Sequence, residues 1–127
     1  MPRPSPFTKN LFGRVADAEI VYRSQEHGGT GPLQFRRIFP DDVFQSPIDF
    51  VDFTTIPAGS TIGRHEHHGN EELYYVARGN PTIILNGEKR ELEPGGFAIV
   101  RDGECHELIN ATGRDVDILV IQVRIPQ

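Results

Sequence analysis

Four side chains that can bind a metal ion occur at short spacings in this chain. His65 and His67 are separated by one residue, Glu72 follows shortly after, and His106 lies further along. Imidazole nitrogens and a carboxylate oxygen are ligands for iron, manganese, zinc or nickel, and less readily for calcium or magnesium. Side chains two apart on a strand share a face, so one cavity could receive His65 and His67. The sequence therefore predicts a divalent metal site with these four residues as ligands.

Neighbouring residues offer alternatives to this ligand set. Glu71 could replace Glu72 if a loop shifts the register by one residue. His68 breaks the alternation and is expected at the rim, and His27 is expected in solvent. Cys105 should point away from His106, which favours a buried structural thiol over a nucleophile.

Two residues beyond the ligands are candidates for acid–base chemistry. Tyr74 shares the inward parity of Glu72, so its phenol could orient a ligand or donate to a substrate, or it could simply pack in the core. Glu104 has the parity of His106 and is expected to line the same interior. Arg36 or Arg37 could form a forked pair with an acidic ligand, but we expect both on the surface.

Composition restricts the class of protein. The 127 residues suit one domain, and the net charge of -5 comes from 18 acidic and 13 basic residues spread along the chain. No basic stripe is available for a nucleic-acid backbone or an anionic membrane, and no apolar run is long enough to span a bilayer. The single cysteine and the lack of a secretory signal at the amino terminus predict a cytoplasmic protein.

The pattern of turns and β-prone runs predicts an all-β fold. Residues 1–32 are rich in proline and glycine and are interpreted as an N-terminal arm, with a single barrel domain over 33–127. Asn86-Gly87 is typical of a type I′ hairpin turn. Seven β-prone runs without helical periodicity indicate a closed barrel or a two-sheet jelly roll. The runs are QFRRIF, IDFVDFTTI, EELYYVA, PTIILN, FAIV, HELIN and VDILVIQV.

The spacing of these residues resembles the two motifs of the cupin superfamily. The first motif, G-x5-H-x-H-x3,4-E-x6-G, is matched at Gly59, His65, His67, Glu72 and Gly79. The second, G-x5-P-x-G-x2-H-x3-N, is matched at four positions, while its proline is replaced by arginine and the residue after its first glycine is not acidic. The matching residues are Gly95, Gly103, His106 and Asn110, and the departures are Arg101 and Gly96.

The resemblance implies a small microbial cupin, folded as a double-stranded β-helix (jelly-roll) barrel. It also implies a metal near one mouth of the barrel, held by His65, His67, Glu72 and His106, and frequent homodimers. The outward parity of Leu73 and Tyr75 likewise favours a homodimer, because large apolar residues on a barrel exterior need covering.

Three functions remain open from the sequence. The first is a metal-dependent enzyme acting on a small polar metabolite, such as a carboxylic acid, an enolisable carbonyl compound or a sugar derivative. Cupins that resemble this chain include dioxygenases, decarboxylases, lyases, cyclases and isomerases, so the fold does not choose a reaction. The second is a module that binds or senses a metal or metabolite without turnover. The third, a structural barrel with a vestigial site, fits least well with four ligand-capable positions.

Overall fold

Ten strands form the architecture of residues 11–126. The computed structural model describes residues 11–126, so the first ten residues of the predicted arm and Gln127 of the predicted barrel lie outside the described part. The strands are β1 (Val21–Ser24), β2 (Pro32–Pro40), β3 (Ile48–Ile56), β4 (Thr61–Glu66), β5 (Asn70–Arg78), β6 (Thr82–Leu85), β7 (Glu88–Glu91), β8 (Phe97–Val100), β9 (Cys105–Ile109) and β10 (Val116–Arg124).

The strands are arranged in two antiparallel sheets. The larger sheet has the order β1-β2-β3-β10-β5-β8, and the smaller has the order β4-β9-β6-β7. From β3 onward the chain crosses repeatedly between the two sheets, interrupted only by the β6–β7 hairpin, which is the jelly-roll arrangement predicted from the sequence. No helix among residues 11–126 is long and apolar enough to cross a bilayer.

Alternation along the strands separates an inward face from an outward one. On β5, Glu72, Tyr74 and Val76 are buried while Leu73 and Tyr75 are exposed, as their parity predicts. The apolar core between the sheets is built from inward residues of both. Its fully buried members include Leu33, Ile56, Val76, Val100, Leu108, Val116 and Ile118.

Each of the seven predicted runs coincides with a strand, although PTIILN extends one residue beyond β6 at both ends and HELIN one residue beyond β9, and the predicted hairpin is confirmed. β6 pairs with β7 so that Leu85 faces Glu88, and Asn86 and Gly87 between them both have positive φ. That geometry is the type I′ turn, which asparagine and glycine adopt at little cost. The runs identified in the sequence omit β1 and β4.

Residues 11–32 are attached to the barrel through β1 and a short turn. β1 pairs with β2, and a 3₁₀ turn follows at Glu26–Gly28. Gly29 and Gly63 then approach so closely that an added Cβ on Gly63 would lie 2.1 Å from the His27 carbonyl oxygen. Only glycine allows this contact, which places the 3₁₀ turn against β4.

Candidate metal centre

Three histidines converge at one end of the barrel interior. His65 is on β4 and faces His106 on β9 directly in the strand register. His67 follows the end of β4, where its N–H donates to the Glu104 carbonyl oxygen at 3.0 Å. His67 and His106 are buried and His65 is half-buried. Two adjacent strands of the smaller sheet therefore supply His65 and His106, and the residue after β4 supplies His67.

The spacing of the three Nε2 atoms fits a shared metal ion. His106 Nε2 lies 2.9 Å from Nε2 of His67 and 2.9 Å from Nε2 of His65. One imidazole nitrogen has a single in-plane site, so hydrogen bonding explains at most one of these contacts. Two ligands at right angles, each about 2.1 Å from an ion, would lie about 3.0 Å apart, whereas a tetrahedral angle gives about 3.4 Å. The donor set fits a metal with right-angled ligands.

Hydrogen bonds at the opposite ring nitrogens fix the tautomers that such a site needs. His65 Nδ1 donates to the Gly63 carbonyl oxygen at 2.9 Å. His67 Nδ1 donates to Asn70 Oδ1 at 2.6 Å, and the Asn70 amide nitrogen donates to the His68 carbonyl oxygen at 3.2 Å, which orients the amide. With its proton on Nδ1, each ring presents the lone pair of Nε2 to the centre.

Glu72 lies beside the histidines but is hydrogen-bonded to Tyr74. Its Oε1 atom is 3.7 Å from His67 Nε2, further than the spacing between the imidazoles. The buried Tyr74 hydroxyl donates a short hydrogen bond to the same oxygen and lies 3.1 Å from His106 Nε2. Glu72 is thus placed next to the three-histidine group without belonging to its closest set.

Burial governs the protonation of this cluster. Desolvation, together with the nearby His65 and His67 rings, lowers the pKa of His106 to about 3. Desolvation also lowers the pKa of His65, although the bond to Gly63 opposes the shift. The pKa values of Glu72 and Tyr74 are raised by burial. His65 and His106 are therefore neutral near pH 7, the form that binds metals.

Glu104 is placed away from the centre, in contrast to its expected position. It precedes β9 in a turn, where its carboxylate accepts bonds from the Arg101 backbone N–H at 2.8 Å and from the Arg101 side chain at 3.0 and 3.1 Å. Asn86 donates a further bond at 2.8 Å, and these bonds lower the pKa of Glu104 to about 2. A proline at position 101 would lack the N–H, so the departure from the cupin motif stabilises this turn.

Other candidates from the sequence have peripheral places. His68 is exposed at the rim and pairs with Glu66 at 3.6 Å. Cys105 is half-buried on the opposite face from His106, and its Sγ accepts a bond from Arg64 at 3.4 Å. Glu71, the alternative to Glu72, does not line the cavity that contains the histidines.

His27 is exposed, as sequence reasoning expected, but it also contacts the site. Its ring stacks on His65 with centroids 3.6 Å apart and planes 10° apart. Local spacing gives no signal for this contact, because it arises from the close approach of Gly29 to Gly63.

The histidines open onto a cavity of about 440 Å³, and its other wall holds a charge pair. Arg37 Nε lies 2.5 Å from Asp52 Oδ1, and Nη2 lies 3.3 Å from Oδ2. The forked contact expected for an inward arginine is thus made to Asp52 rather than to a predicted metal ligand. Arg36 does not line the cavity. Burial raises the pKa of Asp52, and the bond to Arg37 opposes that shift.

The chain thus combines a jelly-roll barrel with a histidine-lined cavity. The model of the cupin domain matches residues 52–122, more than half of the chain, and the chain belongs to this family. An oxalate-binding protein from Thermotoga maritima is 24% identical over 98 residues, which cover 77% of this chain and 81% of the relative.

Solved structures share the same fold. A protein described as a predicted oxalate decarboxylase, also from Thermotoga maritima, superposes with a TM-score of 0.88 at 22% identity, covering 91% of this chain and all of the other. The polyketide cyclase RemF from Streptomyces resistomycificus superposes with a TM-score of 0.72 at 20% identity, covering 91% of this chain and 81% of the cyclase. At these identities the likeness establishes the fold, which different activities share.

Proposed function

We propose that this protein is a metal-dependent cupin enzyme that binds and transforms a small carboxylic acid at the three-histidine centre. The observation that carries the proposal is the convergence of three Nε2 atoms, with His106 2.9 Å from each of the other two. The names of the oxalate-binding relative and of the predicted oxalate decarboxylase support a carboxylate as the ligand.

The residues of such a site would have different roles. His65, His67 and His106 would hold a divalent ion of iron, manganese, zinc or nickel, with Glu72 as the fourth ligand. The ion would supply a Lewis acid for a carboxylate or carbonyl oxygen. Tyr74 donates to Glu72 and so holds the carboxylate at the edge of the centre. Its buried hydroxyl is also the nearest candidate for proton transfer, since Glu104 is bound in a turn.

Binding without turnover is the second candidate function. Two observations favour it: one relative is named for oxalate binding, and the Tyr74 proton is already shared with Glu72. A carboxylate bound at the same centre would then be held or sensed rather than transformed.

The experiment begins with purified protein loaded with manganese(II) or iron(II). We expect about one ion per chain and binding of oxalate by calorimetry, with both lost or greatly weakened in His106→Ala. The matched control is His68→Ala, because His68 is exposed at the rim. Unchanged metal content in His106→Ala would refute the proposal that the three-histidine centre binds the metal.

Turnover decides between the two functions. Metal-loaded protein is incubated with oxalate and other small 2-oxo or hydroxy acids, and carbon dioxide, formate and other products are measured. Product formation that depends on His106 supports the enzyme, whereas tight binding without product supports the binding module.

We also infer that the protein pairs with a second copy, because an apolar surface lies on the outside of β5, β8 and β10. It consists of Leu73, Tyr75, Phe97, Ile99, Leu119 and Ile121 and is called the exterior patch below. Its composition fits an interface better than a solvated face. A cytoplasmic location and the absence of nucleic-acid partners remain predictions from composition.

A further inference from the structure

The wall of the cavity formed by β1 and β2 carries two arginines, each placed over a phenylalanine. The Arg23 guanidinium carbon is 5.0 Å from the centre of the Phe35 ring, and that of Arg37 is 4.5 Å from the centre of the Phe50 ring. All four residues line the same cavity as the histidines. Stacking on a ring limits the positions that a guanidinium can take while leaving its edge donors available.

The two arginines differ in how their charge is balanced. Arg37 is bound on one edge by the buried carboxylate of Asp52. Arg23 has one ion pair among the described residues, with Glu26 at 4.0 Å, and this pair is too long for a good hydrogen bond. Of the two arginines, Arg23 is therefore better able to donate hydrogen bonds to a carboxylate of a ligand.

This wall lies across the sheet from the metal centre. The registers align Arg37 with Asp52, Asp52 with Val120, and Val120 with Tyr74, which contacts His106. These registers put three strand steps between Arg37 and Tyr74. Arg23 on β1 is connected to the centre through Glu26, which pairs with it at 4.0 Å, and through His27, which lies 3.6 Å from Glu26 and stacks on His65. Oxalate, whose two carboxylates are bonded directly, is too short to bind the three-histidine centre and Arg23 at once.

We propose that Arg23 is a specificity-determining residue that binds a distal carboxylate of the ligand, so that the preferred ligand is an acid longer than oxalate. One end of this acid, such as a 2-oxo carboxylate, would be held at the three-histidine centre and the other at Arg23. The inference rests on the proposed function and refines its substrate class. The cavity volume of about 440 Å³ is within the range that accepts such molecules.

The test compares two acids of equal carbon number on manganese-loaded protein. 2-Oxoglutarate has a distal carboxylate, and 2-oxopentanoate has a methyl group in its place. By calorimetry we expect 2-oxoglutarate to bind about ten- to a hundredfold more tightly, the gain typical of a charge-assisted hydrogen bond. Arg23→Gln should remove most of this preference. Its metal content should stay unchanged, which shows that the variant is folded, and its affinity for oxalate should fall much less than its affinity for 2-oxoglutarate.

Arg90→Gln is the control, because Arg90 lies on β7, pairs with the exposed Glu88 and does not line the cavity. It should keep the full preference for 2-oxoglutarate. Equal binding of the two acids by the wild type, or a preference that survives Arg23→Gln, would overturn the role of Arg23. Failure of oxalate and both 2-oxo acids to bind metal-loaded protein would instead refute the proposed function, and this inference with it.

Discussion

At the residue scale, the metal centre depends on groups that do not face it. Gly63 and Asn70 accept the Nδ1 protons of His65 and His67 and so turn both Nε2 lone pairs inward. Such partners usually affect metal affinity nearly as much as the ligands themselves. The position of Asn70, at the start of β5, therefore links the ligands of the smaller sheet to the larger sheet.

Tyr74 is the residue whose role is easiest to isolate. Tyr74→Phe removes only a hydroxyl, so the metal content should remain near that of the wild type. If the phenol orients a ligand or transfers a proton, ligand binding should weaken or turnover should fall by about ten- to a thousandfold. Tyr75→Phe is the matched control, because Tyr75 points outward on the same strand. Metal content and activity that both survive Tyr74→Phe would assign the phenol to core packing.

The metal-free protein should lose stability as the pH falls below 6.5. In the unfolded chain His106 titrates near pH 6.5, whereas burial holds its pKa in the folded protein at about 3. Between these values the unfolded state binds one more proton, so the free energy of unfolding falls by about 1.4 kcal/mol per pH unit as the pH decreases. His65 acts in the same direction, and Glu72, with its raised pKa, acts in the opposite direction.

Urea unfolding in the presence of a chelator, from pH 6.5 to pH 4, measures this dependence. His106→Asn removes the titrating group, so its unfolding free energy should depend less on pH than that of the wild type. His68→Asn should retain the wild-type dependence, because His68 is exposed. Equal slopes for wild type and His106→Asn would contradict the assignment.

The sequence predicted the convergence of the histidines because it depends on strand alternation and on two short motifs. It did not predict the place of Glu104, because a turn before β9 interrupts the alternation. It also missed the stacking of His27 on His65 and the pairing of Arg37 with Asp52, which are contacts between elements distant in the chain. Spacing rules describe one strand at a time and carry no information about such contacts.

At the element scale, the segment from β1 to Gly31 forms part of the site. The Thr30 N–H donates to Thr61 Oγ1 at 2.8 Å, and the Thr61 N–H donates to the Thr30 carbonyl oxygen at 2.8 Å. These bonds and the contact of Gly29 with Gly63 hold the 3₁₀ turn with His27 against β4. The wall that carries Arg23 is thus fixed to the strand that carries His65.

Gly63→Ala tests this attachment. The added methyl would lie 2.1 Å from the His27 carbonyl oxygen and 2.7 Å from the Gly29 nitrogen, so backbone must shift. We expect a loss of about 1–3 kcal/mol in the free energy of unfolding, typical of overpacking, and a melting temperature lower by several degrees. Gly113→Ala is the control, since its Cβ would meet no atom within 4 Å. Equal melting temperatures for the two variants would contradict a tight contact.

The strands themselves were largely predictable, and the two omissions have physical reasons. β4 contains Gly63, Arg64 and His65, and such residues do not form a β-branched or aromatic run. β1 is short and exposed throughout, so it shows no apolar alternation. Its pairing with β2 depends on the longer partner rather than on its own composition.

At the scale of the whole molecule, the two faces of the larger sheet contribute to different features. Its inner face contributes Asp52, Glu72 and Tyr74 to the cavity, and its outer face carries the exterior patch. Because β5 contributes to both, substitutions on its outward positions can change assembly without touching the site.

The last prediction concerns the assembly of two chains through the exterior patch. Phe97 is 78% exposed, and Leu73, Tyr75 and Ile99 beside it are also exposed, so a monomer would leave this surface in water. Residues 11–18 border a different groove, with Ile38 and Phe39 of β2, so this described part of the predicted arm does not cover the patch.

Sedimentation equilibrium at micromolar concentration should therefore give twice the mass of one chain. Phe97→Lys places a charge in the patch and should yield monomers that keep their metal, because Phe97 points away from the cavity. Phe12→Lys is the control, since Phe12 is even more exposed than Phe97 but lies in the groove beside β2. A monomeric wild type, or a dimer that persists in Phe97→Lys, would show that the patch is not the interface.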